Sequence, residues 1–244
     1  METVKDHYDR FLGSVYSWIL GDFETARQKN TAYFNTLDLA PDDNAIAVDL
    51  GCGPGCQSLP LAELGYSVLA IDFCRELLDE LGQRTGDLSI RTVCDDLLSF
   101  RSHMSEPADL IVCMGDTLVH LPDEKAVESV INDVCDSLKP GGTFIYAIRD
   151  YVDYTPQGAA RFIPIRANDD QIFTCFLDYR QDVVHVHDVL YRRIDGEWRM
   201  RISDYLKLRL DTRRINEQMT SRGLIIAAVD DADGMITVIA RRPE

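Results

Sequence analysis

The feature that most constrains the fold is an alternation of strand and helix patterns between residues 45 and 148. Residues 45–50 are almost entirely apolar, as expected of a strand buried on both faces, and similar short runs recur at residues 67–71, 89–94, 109–114 and 143–148. Helical patterns separate these runs. The repetition predicts right-handed crossovers and a mostly parallel sheet covered by helices on both faces.

A different pattern follows Asp150, where apolar and polar residues alternate with the two-residue period of antiparallel strands. Asp195-Gly196 is a strong signal for a hairpin turn. Between residues 151 and 210 we therefore expect an inserted sheet of three or four antiparallel strands, whose apolar face carries Phe173, Cys175 and Leu177. An added sheet must bury one face, so this one should cover the substrate side of a pocket or form a subunit contact.

Four segments are predicted along the chain. Residues 1–44 form a helical lid in which residues 11–38 have a helical pattern, and residues 45–150 form the ligand-binding core. Residues 151–210 form the inserted sheet, and residues 211–244 return to the core as a helix and two strands. The predicted fold class is α/β, with a Rossmann-like sheet of seven mostly parallel strands, helices on both faces, and an inserted antiparallel β subdomain.

The charge balance narrows the range of partners. The 244 residues include 41 acidic and 25 basic side chains, which gives a net charge of −16. Such a surface repels nucleic acids and anionic membranes, and the apolar runs are too short to span a bilayer. The polar first residues carry no secretory signal and the cysteines lack CxxC spacing, so the cytoplasm is the expected location. No metal site is predicted, because His185 and His187 alternate without a third ligand nearby.

A glycine-rich loop directly after the first strand carries the strongest chemical signal. The loop reads Asp49-Leu50-Gly51-Cys52-Gly53-Pro54-Gly55, and glycines at such a turn let backbone amides approach a ligand closely. Asp72 ends the second strand, where a carboxylate can accept hydrogen bonds from both hydroxyls of a ribose. Together the loop and Asp72 predict an adenosine site at the carboxyl edge of the sheet.

Two classes of adenosine cofactor use this arrangement. Nicotinamide dinucleotides favour G-x-G-x-x-G, but the third glycine position is Cys56 here. They also place a pyrophosphate at the start of the following helix, where the carboxylate of Asp49 would repel it. A carboxylate instead suits a ligand with a cationic amino or sulfonium group. A nicotinamide-dependent oxidoreductase is therefore only an alternative.

The loop resembles the first motif of the class I S-adenosylmethionine-dependent methyltransferases. Ala70-Ile71-Asp72 is similar to the strand end that binds ribose in that family, and Cys94-Asp95-Asp96-Leu97 is similar to the segment that holds adenine. Either Asp95 or Asp96 fits the adenine position, and the spacing favours Asp96. The resemblance implies S-adenosylmethionine as the cofactor, with contacts from Asp49, Gly51, Cys52, Gly53, Asp72, Phe73, Asp95, Asp96, Leu97, Met114 and Trp18.

A narrower resemblance is to glycine N-methyltransferase and related small-molecule enzymes. Residues 15–22 of the lid, residues 113–123 and the segment Ile148-Arg149-Asp150-Tyr151 are similar to segments of that group. The resemblance implies methyl transfer to a small amine or amino-acid-like acceptor, and a reacting centre formed by Asp116, His120, Arg149 and Tyr151. Asp116 stands where the glycine enzyme has asparagine, which argues against glycine itself as the acceptor. O-methylation of a small carboxylate or hydroxyl compound is the alternative.

Some of these residues have a second interpretation. Trp18 and Tyr16 either cap the cofactor or belong to the apolar face of a helix. His120 either orients the substrate or caps a helix. Arg149 either clamps a substrate carboxylate with its guanidinium or forms an internal ion pair with Asp116 or Asp150. The sequence leaves open whether the protein is a homo-oligomer.

Overall fold

The N-terminal lid is a series of short helices. A computed structural model describes residues 3–37, 39 and 41–244. The lid contains α1 (Val4–His7), a π-helical turn (Tyr8–Leu12), α2 (Gly13–Leu20) and α3 (Phe23–Thr36). The predicted helical character of residues 11–38 is confirmed over most of that range, although it is divided among separate helices, and residue 38 lies outside the described residues. The helix breaks because Gly21 has a φ of 93° and the carboxylate of Asp22 accepts a hydrogen bond from Thr25 N, which starts α3.

The core is a seven-stranded sheet. Its strands are β1 (Ile46–Leu50), β2 (Ser67–Asp72), β3 (Ile90–Cys94), β4 (Ala108–Cys113), β5 (Leu138–Arg149), β10 (Ile225–Ala232) and β11 (Met235–Arg241), in the order β10-β11-β5-β4-β1-β2-β3. Strand β11 runs antiparallel to both of its neighbours, and the other six strands run in one direction. The predicted Rossmann-like, mostly parallel sheet is therefore confirmed.

Helices cover both faces of this sheet. They are α4 (Ser58–Glu63), α5 (Arg75–Gly82), α6 (Glu124–Ser137) and α7 (Thr212–Ser221), with short 3₁₀ helices at Leu97–His103, Leu118–His120 and Gly158–Arg161. Strand β5 begins directly after α6, so it includes residues 139–142, ahead of the apolar run at residues 143–148. Within the described part of the chain, no helix has the length and apolar character needed to cross a membrane.

A second sheet of four antiparallel strands is inserted between β5 and α7. It has the order β6-β7-β8-β9 and comprises β6 (Phe162–Ala167), β7 (Gln171–Tyr179), β8 (Val183–Ile194) and β9 (Glu197–Leu208). The predicted apolar face is confirmed, because Phe173, Cys175 and Leu177 are all buried. The lid packs on this face through Phe11, which contacts Phe173 with ring centroids 6.2 Å apart. The lid and the inserted sheet together cover one edge of the core.

Candidate cofactor and acceptor sites

The glycine-rich loop turns at the carboxyl end of β1, beside the point where the strand order reverses between β1 and β4. Gly51 has a φ of 73°, and a Cβ atom there would lie 2.4 Å from Cγ2 of Thr117, so only glycine fits. The amides of Gly51 and Cys52 donate to the carbonyl of Ile71, and the amide of Gly53 donates to Oδ2 of Asp72 at 2.9 Å. The loop is thereby fixed to the end of β2.

Asp72 presents a carboxylate to the cavity beside this loop. Its Oδ1 accepts a second backbone hydrogen bond, from Cys74 N at 2.8 Å. Burial raises the pKa of this carboxyl, while the two amide hydrogen bonds oppose that change. Each oxygen keeps a lone pair for another donor, so the group can accept hydrogen bonds from the two hydroxyls of a ribose.

The first cavity has a volume of about 210 Å³ and lies over the loop. Its wall contains the polar side chains of Asp72 and Asp96 and several apolar side chains. The predicted cofactor residues that line it are Gly51, Cys52, Gly53, Asp72, Phe73, Asp96, Leu97 and Met114. A carboxylate for a diol, apolar side chains and a second acid match the polarity of an adenosine.

A second cavity of about 490 Å³ lies between the core and the inserted sheet. It shares four wall residues with the first cavity, namely Tyr8, Tyr16, Gly115 and His120. Arg149 and Tyr151 from the end of the core and Asp188 and Lys207 from the inserted sheet also line it. Two ligands bound in the two cavities would therefore meet at this shared wall.

His120 lies on the shared wall. Its ring stacks on that of Tyr205, with centroids 5.5 Å apart and an angle of 14° between the planes. Nδ1 is buried and has no hydrogen-bond partner among the described residues. Burial, with a further contribution from the charge of Lys207, lowers the pKa of the imidazole to about 3, so the ring is neutral near pH 7.

A buried cluster of Asp116, Lys207 and Tyr151 underlies the second cavity. Oδ2 of Asp116 accepts hydrogen bonds from Lys207 Nζ at 2.6 Å and from the Tyr151 hydroxyl at 2.9 Å. Oδ1 accepts from the backbone amide of Arg149 at 2.8 Å. Burial opposes both charges, but their mutual attraction prevails, lowering the pKa of Asp116 and raising that of Lys207. The cluster carries no net charge.

Comparison with known proteins matches residues 47–142 to a methyltransferase domain family. Over these residues the chain is therefore similar to methyltransferase domains. The fold is shared with an S-adenosylmethionine-dependent methyltransferase from Clostridium acetobutylicum ATCC 824, with a TM-score of 0.76, 18% identity and coverage of 97% of this chain and 99% of that one. The predicted resemblance to class I S-adenosylmethionine-dependent methyltransferases is supported over residues 47–142, and S-adenosylmethionine is the cofactor that this resemblance implies.

Curated relatives include both N- and O-methyltransferases. Rat glycine N-methyltransferase is 25% identical over 63% of this chain and 56% of its own length. Ubiquinone biosynthesis O-methyltransferase of Shewanella sp. (strain ANA-3) is 29% identical over 63% of this chain and 68% of its own length. The match thus spans between about half and two thirds of these relatives, and both kinds of acceptor atom occur among them.

The acid that begins the methyltransferase loop motif does not face the cofactor cavity, which corrects its predicted contact. Asp49 is buried beneath the loop, 1% exposed, where its Oδ2 accepts a hydrogen bond from the Ser58 hydroxyl at 2.6 Å. Burial raises the pKa of this carboxyl to about 7. Asp49 joins the loop to the start of α4 and does not line either cavity.

Trp18 and Asp95 are also corrected as cofactor contacts. The ring of Trp18 lies under the guanidinium of Arg166 in the inserted sheet, 5.3 Å from its central carbon, and does not line either cavity. The carboxylate of Asp95 points outward to His103 Nε2 at 2.7 Å, whereas Asp96 lines the first cavity. Between the two adjacent acids, the geometry therefore favours Asp96 as the adenine ligand.

Tyr8, Lys207 and Asp188 line the cavities but were not among the predicted contacts. Tyr8 lies on the shared wall because the π-helical turn brings it there, and Lys207 and Asp188 reach the second cavity from the inserted sheet. Lys207 continues the two-residue alternation of the buried Ser203 and Tyr205 on β9, which places it on the inward face of that strand. Its partner is 91 residues away in the chain, and spacing alone cannot reveal such a pair.

The predicted reacting residues do not all face the acceptor cavity. Asp116 lines neither cavity, because Lys207, Tyr151 and the Arg149 amide occupy its oxygens, and this corrects its role opposite an amine. The Arg149 side chain is exposed to the second cavity and forms no ion pair with Asp116 or Asp150. The carboxylate of Asp150 instead accepts from the amides of Val152 and Asp153. The internal ion pair that the sequence offered as an alternative is therefore not formed.

Proposed function

We propose that this protein methylates the nitrogen of a small amino-acid-like acceptor with S-adenosylmethionine as the donor. The observation that carries the proposal is the common wall of the two cavities, formed by Tyr8, Tyr16, Gly115 and His120. One cavity suits the adenosine, and the other opens from the same wall toward the guanidinium of Arg149. A donor and an acceptor bound in this way are held next to each other, which is the main requirement of a displacement reaction.

The residues of the first cavity fit the cofactor. Asp72 would hold the ribose hydroxyls, Asp96 and the amide of Leu97 the adenine edge, and the amides of the glycine-rich loop the amino-acid part. When bound, S-adenosylmethionine supplies a methyl group on a cationic sulfur, which leaves as a neutral thioether. The protein's own contribution is to align the acceptor and to exclude water.

The side chains at the shared wall favour a nitrogen acceptor over a hydroxyl. An unprotonated amine needs little help from a base, whereas a hydroxyl needs a strong one. His120, with a pKa of about 3, is too weak a base to deprotonate a hydroxyl. Burial raises the pKa of Tyr16 to about 12, so its hydroxyl stays protonated and can serve as a hydrogen-bond donor.

Arg149 supports an acceptor that carries a carboxylate. Its guanidinium lines the second cavity without a carboxylate partner among the described residues, and guanidinium groups bind carboxylates through two parallel hydrogen bonds. The rat relative is named for glycine, and the Shewanella relative is named for an O-methylation step. An amino-acid-like acceptor agrees with the name of the rat relative. The cavity of about 490 Å³ offers far more room than glycine occupies.

A methylation screen tests this proposal. Purified protein is incubated with S-adenosylmethionine and a panel of amino acids, amines, hydroxy acids and phenols, and release of S-adenosylhomocysteine is followed. Mass spectrometry then locates the methyl group on the product. We expect N-methylated products and a loss of turnover in Asp72→Ala, which removes the ribose contact. Products methylated only on oxygen, or binding of NAD in place of S-adenosylmethionine, would contradict the proposal.

A further inference from the structure

The outer face of the inserted sheet, which points away from the second cavity, carries exposed apolar side chains. Successive residues of a strand point to opposite faces of a sheet, and Ser203 and Tyr205 of β9 are buried on the inner face. Ile202 and Asp204 therefore point outward. The exposed large apolar side chains of this outer face are Phe162, Tyr191, Trp198, Met200 and Ile202.

The two central rows of the outer face consist of uncharged residues. They cross the strands side by side, with Thr174, Val189 and Ile202 in one row and Ile172, Tyr191 and Met200 in the next. An antiparallel sheet that covers a core with one face usually presents polar residues to water with the other. A sheet that is apolar on both faces instead indicates that its second face binds another protein surface.

The outer face is large enough for a stable interface. Its four strands are between 6 and 12 residues long, which corresponds to about 20–40 Å at the usual rise of a strand. Side by side at a spacing of about 4.8 Å, they form a face of roughly 600 Å², and projecting side chains add to that area. Each partner in an interface of standard size buries about 800 Å². The outer face thus supplies most of one side of such an interface.

Opposite charges flank the two central rows. On one side, Arg193 is exposed and its guanidinium lies over the ring of Trp198. On the other side, Asp204 lies opposite His187 and is hydrogen-bonded to His185. Among the described residues, Arg193 forms no ion pair and Asp204 forms none with a lysine or an arginine. The outer face therefore carries a cation and a carboxylate in rows at equal distances from its centre.

A second copy of this chain fits both the apolar rows and the charges. If a two-fold axis crosses the strands between the two central rows, each of these rows packs on the other row of the second copy. The same axis places Arg193 of one copy over the row that contains Asp204 in the other copy. Two sheets packed face to face at about 10 Å bury their apolar rows as the sheets of a β-sandwich do.

We propose that the outer face is the interface of a homodimer with two-fold symmetry. The apolar rows supply the buried surface, and Arg193 and Asp204 fix the relative direction of the two sheets. This inference does not depend on the proposed reaction. It does concern the site, because the inner face of the same sheet lines the second cavity through Phe173 and Tyr205. The dimer holds this wall of the cavity in place from behind.

Sedimentation velocity of the full chain over a range of micromolar concentrations tests the inference. We expect a species with twice the 27.6 kDa mass of one chain. Ile202→Lys should raise the dissociation constant of the dimer about a hundredfold or more, because it buries two unpaired ammonium groups near the axis. Ile202 is 55% exposed in the single chain, so a lysine there is compatible with folding, and the affinity for S-adenosylhomocysteine should be retained.

Two matched controls place the same kind of change elsewhere. Ile225→Lys alters a residue that is 59% exposed on β10, at the edge of the core sheet, and it should keep the dimer. Arg193→Glu should weaken the dimer about tenfold, because it brings two carboxylates together at each end of the interface. Arg199→Glu, on the inner side of the same hairpin, should leave the dimer unchanged.

Three results would overturn the inference. A monomer at every concentration would mean that a different partner, or none, covers this face. A dimer that persists in Ile202→Lys, or one that is lost equally in Ile225→Lys, would place the interface elsewhere. If Ile202→Lys does not fold, the comparison of Arg193→Glu with Arg199→Glu decides, and equal dissociation constants for these two variants would reject the outer face as the interface.

Discussion

At the residue scale, the most informative side chains are those whose charge is left without a partner. Asp116 and Lys207 form a buried ion pair and neutralise each other. Removing either side chain would leave the other charge buried without a partner, which is strongly destabilising. Arg149, whose backbone amide donates to Asp116, has no ion-pair partner for its side chain among the described residues and is exposed to the acceptor cavity. Residues of these two kinds respond differently to substitution, and Arg149 is the better target for a functional test.

We expect Arg149→Lys to raise KM or lower kcat for a carboxylate-bearing acceptor by about tenfold or more, because lysine cannot form two parallel hydrogen bonds to a carboxylate. Affinity for S-adenosylmethionine should stay nearly unchanged, since Arg149 does not line the first cavity. Steady-state kinetics and calorimetric titration measure the two effects. Arg222→Lys, which alters an arginine paired with Asp136 at the end of α7, is the control. Normal kinetics in a folded Arg149→Lys protein would reject the clamp.

At the scale of single elements, the turn after β1 shows how a loop is fixed by what surrounds it. Gly51 needs a positive φ, and it also lies against Thr117, whose hydroxyl is bonded to the carbonyl of Met114. Thr117 follows β4, so the two loops at the centre of the sheet hold each other in position. The conformation of the cofactor loop therefore depends on a neighbour far away in the sequence.

Gly51→Ala should lower both the melting temperature and the affinity for S-adenosylmethionine. Alanine at a positive φ costs roughly 1–3 kcal/mol, and the clash with Thr117 adds to that cost. Gly86→Ala is the matched control, because Gly86 also has a positive φ, 51°, but a Cβ atom added there would have no heavy atom within 4 Å among the described residues. Differential scanning calorimetry and titration compare the variants. Equal losses of stability would show that contact with Thr117 contributes nothing.

The sequence predicted the strands and helices of the core well, because each has a clear apolar period and the glycine-rich loop has one consistent interpretation. It did not predict the break in the lid at Gly21 and Asp22 or the π-helical turn at Tyr8–Leu12. It also failed for Asp49 and Trp18, whose side chains point away from the cavity. Residue type and spacing place a side chain near a site, but its direction is set by packing against residues distant in the chain.

At the scale of the whole molecule, the free energy of unfolding depends on pH through carboxyl groups whose pKa differs between the folded and the unfolded protein. Asp49 has a folded-state pKa of about 7, raised from its ordinary value of 3.8 by burial. Its protonated form is therefore favoured in the folded protein. The resulting stabilisation is complete below the ordinary pKa and is lost as the pH rises through 7.

Asp49→Asn should thus be more stable than the unmodified protein at pH 8 and nearly equal to it at pH 4. The asparagine resembles the protonated carboxyl and can still accept the hydrogen bond from Ser58. The difference at pH 8 can reach at most about 4 kcal/mol, from roughly 1.36 kcal/mol for each pKa unit. Melting temperatures between pH 4 and pH 8 measure it, with Asp43→Asn in an exposed turn as the control. A difference that does not change with pH would contradict this assignment.

The wall formed by Tyr8, Tyr16, Gly115 and His120 also has a consequence for inhibitor design. Because the two cavities meet there, a single molecule that joins an adenosine to an acceptor-like amine through a short linker can occupy both. Joining the two halves turns the second binding event into an intramolecular one, so such a bisubstrate compound gains avidity without any new contact. The length of the best linker would then measure how far apart the protein holds the donor sulfur and the acceptor nitrogen.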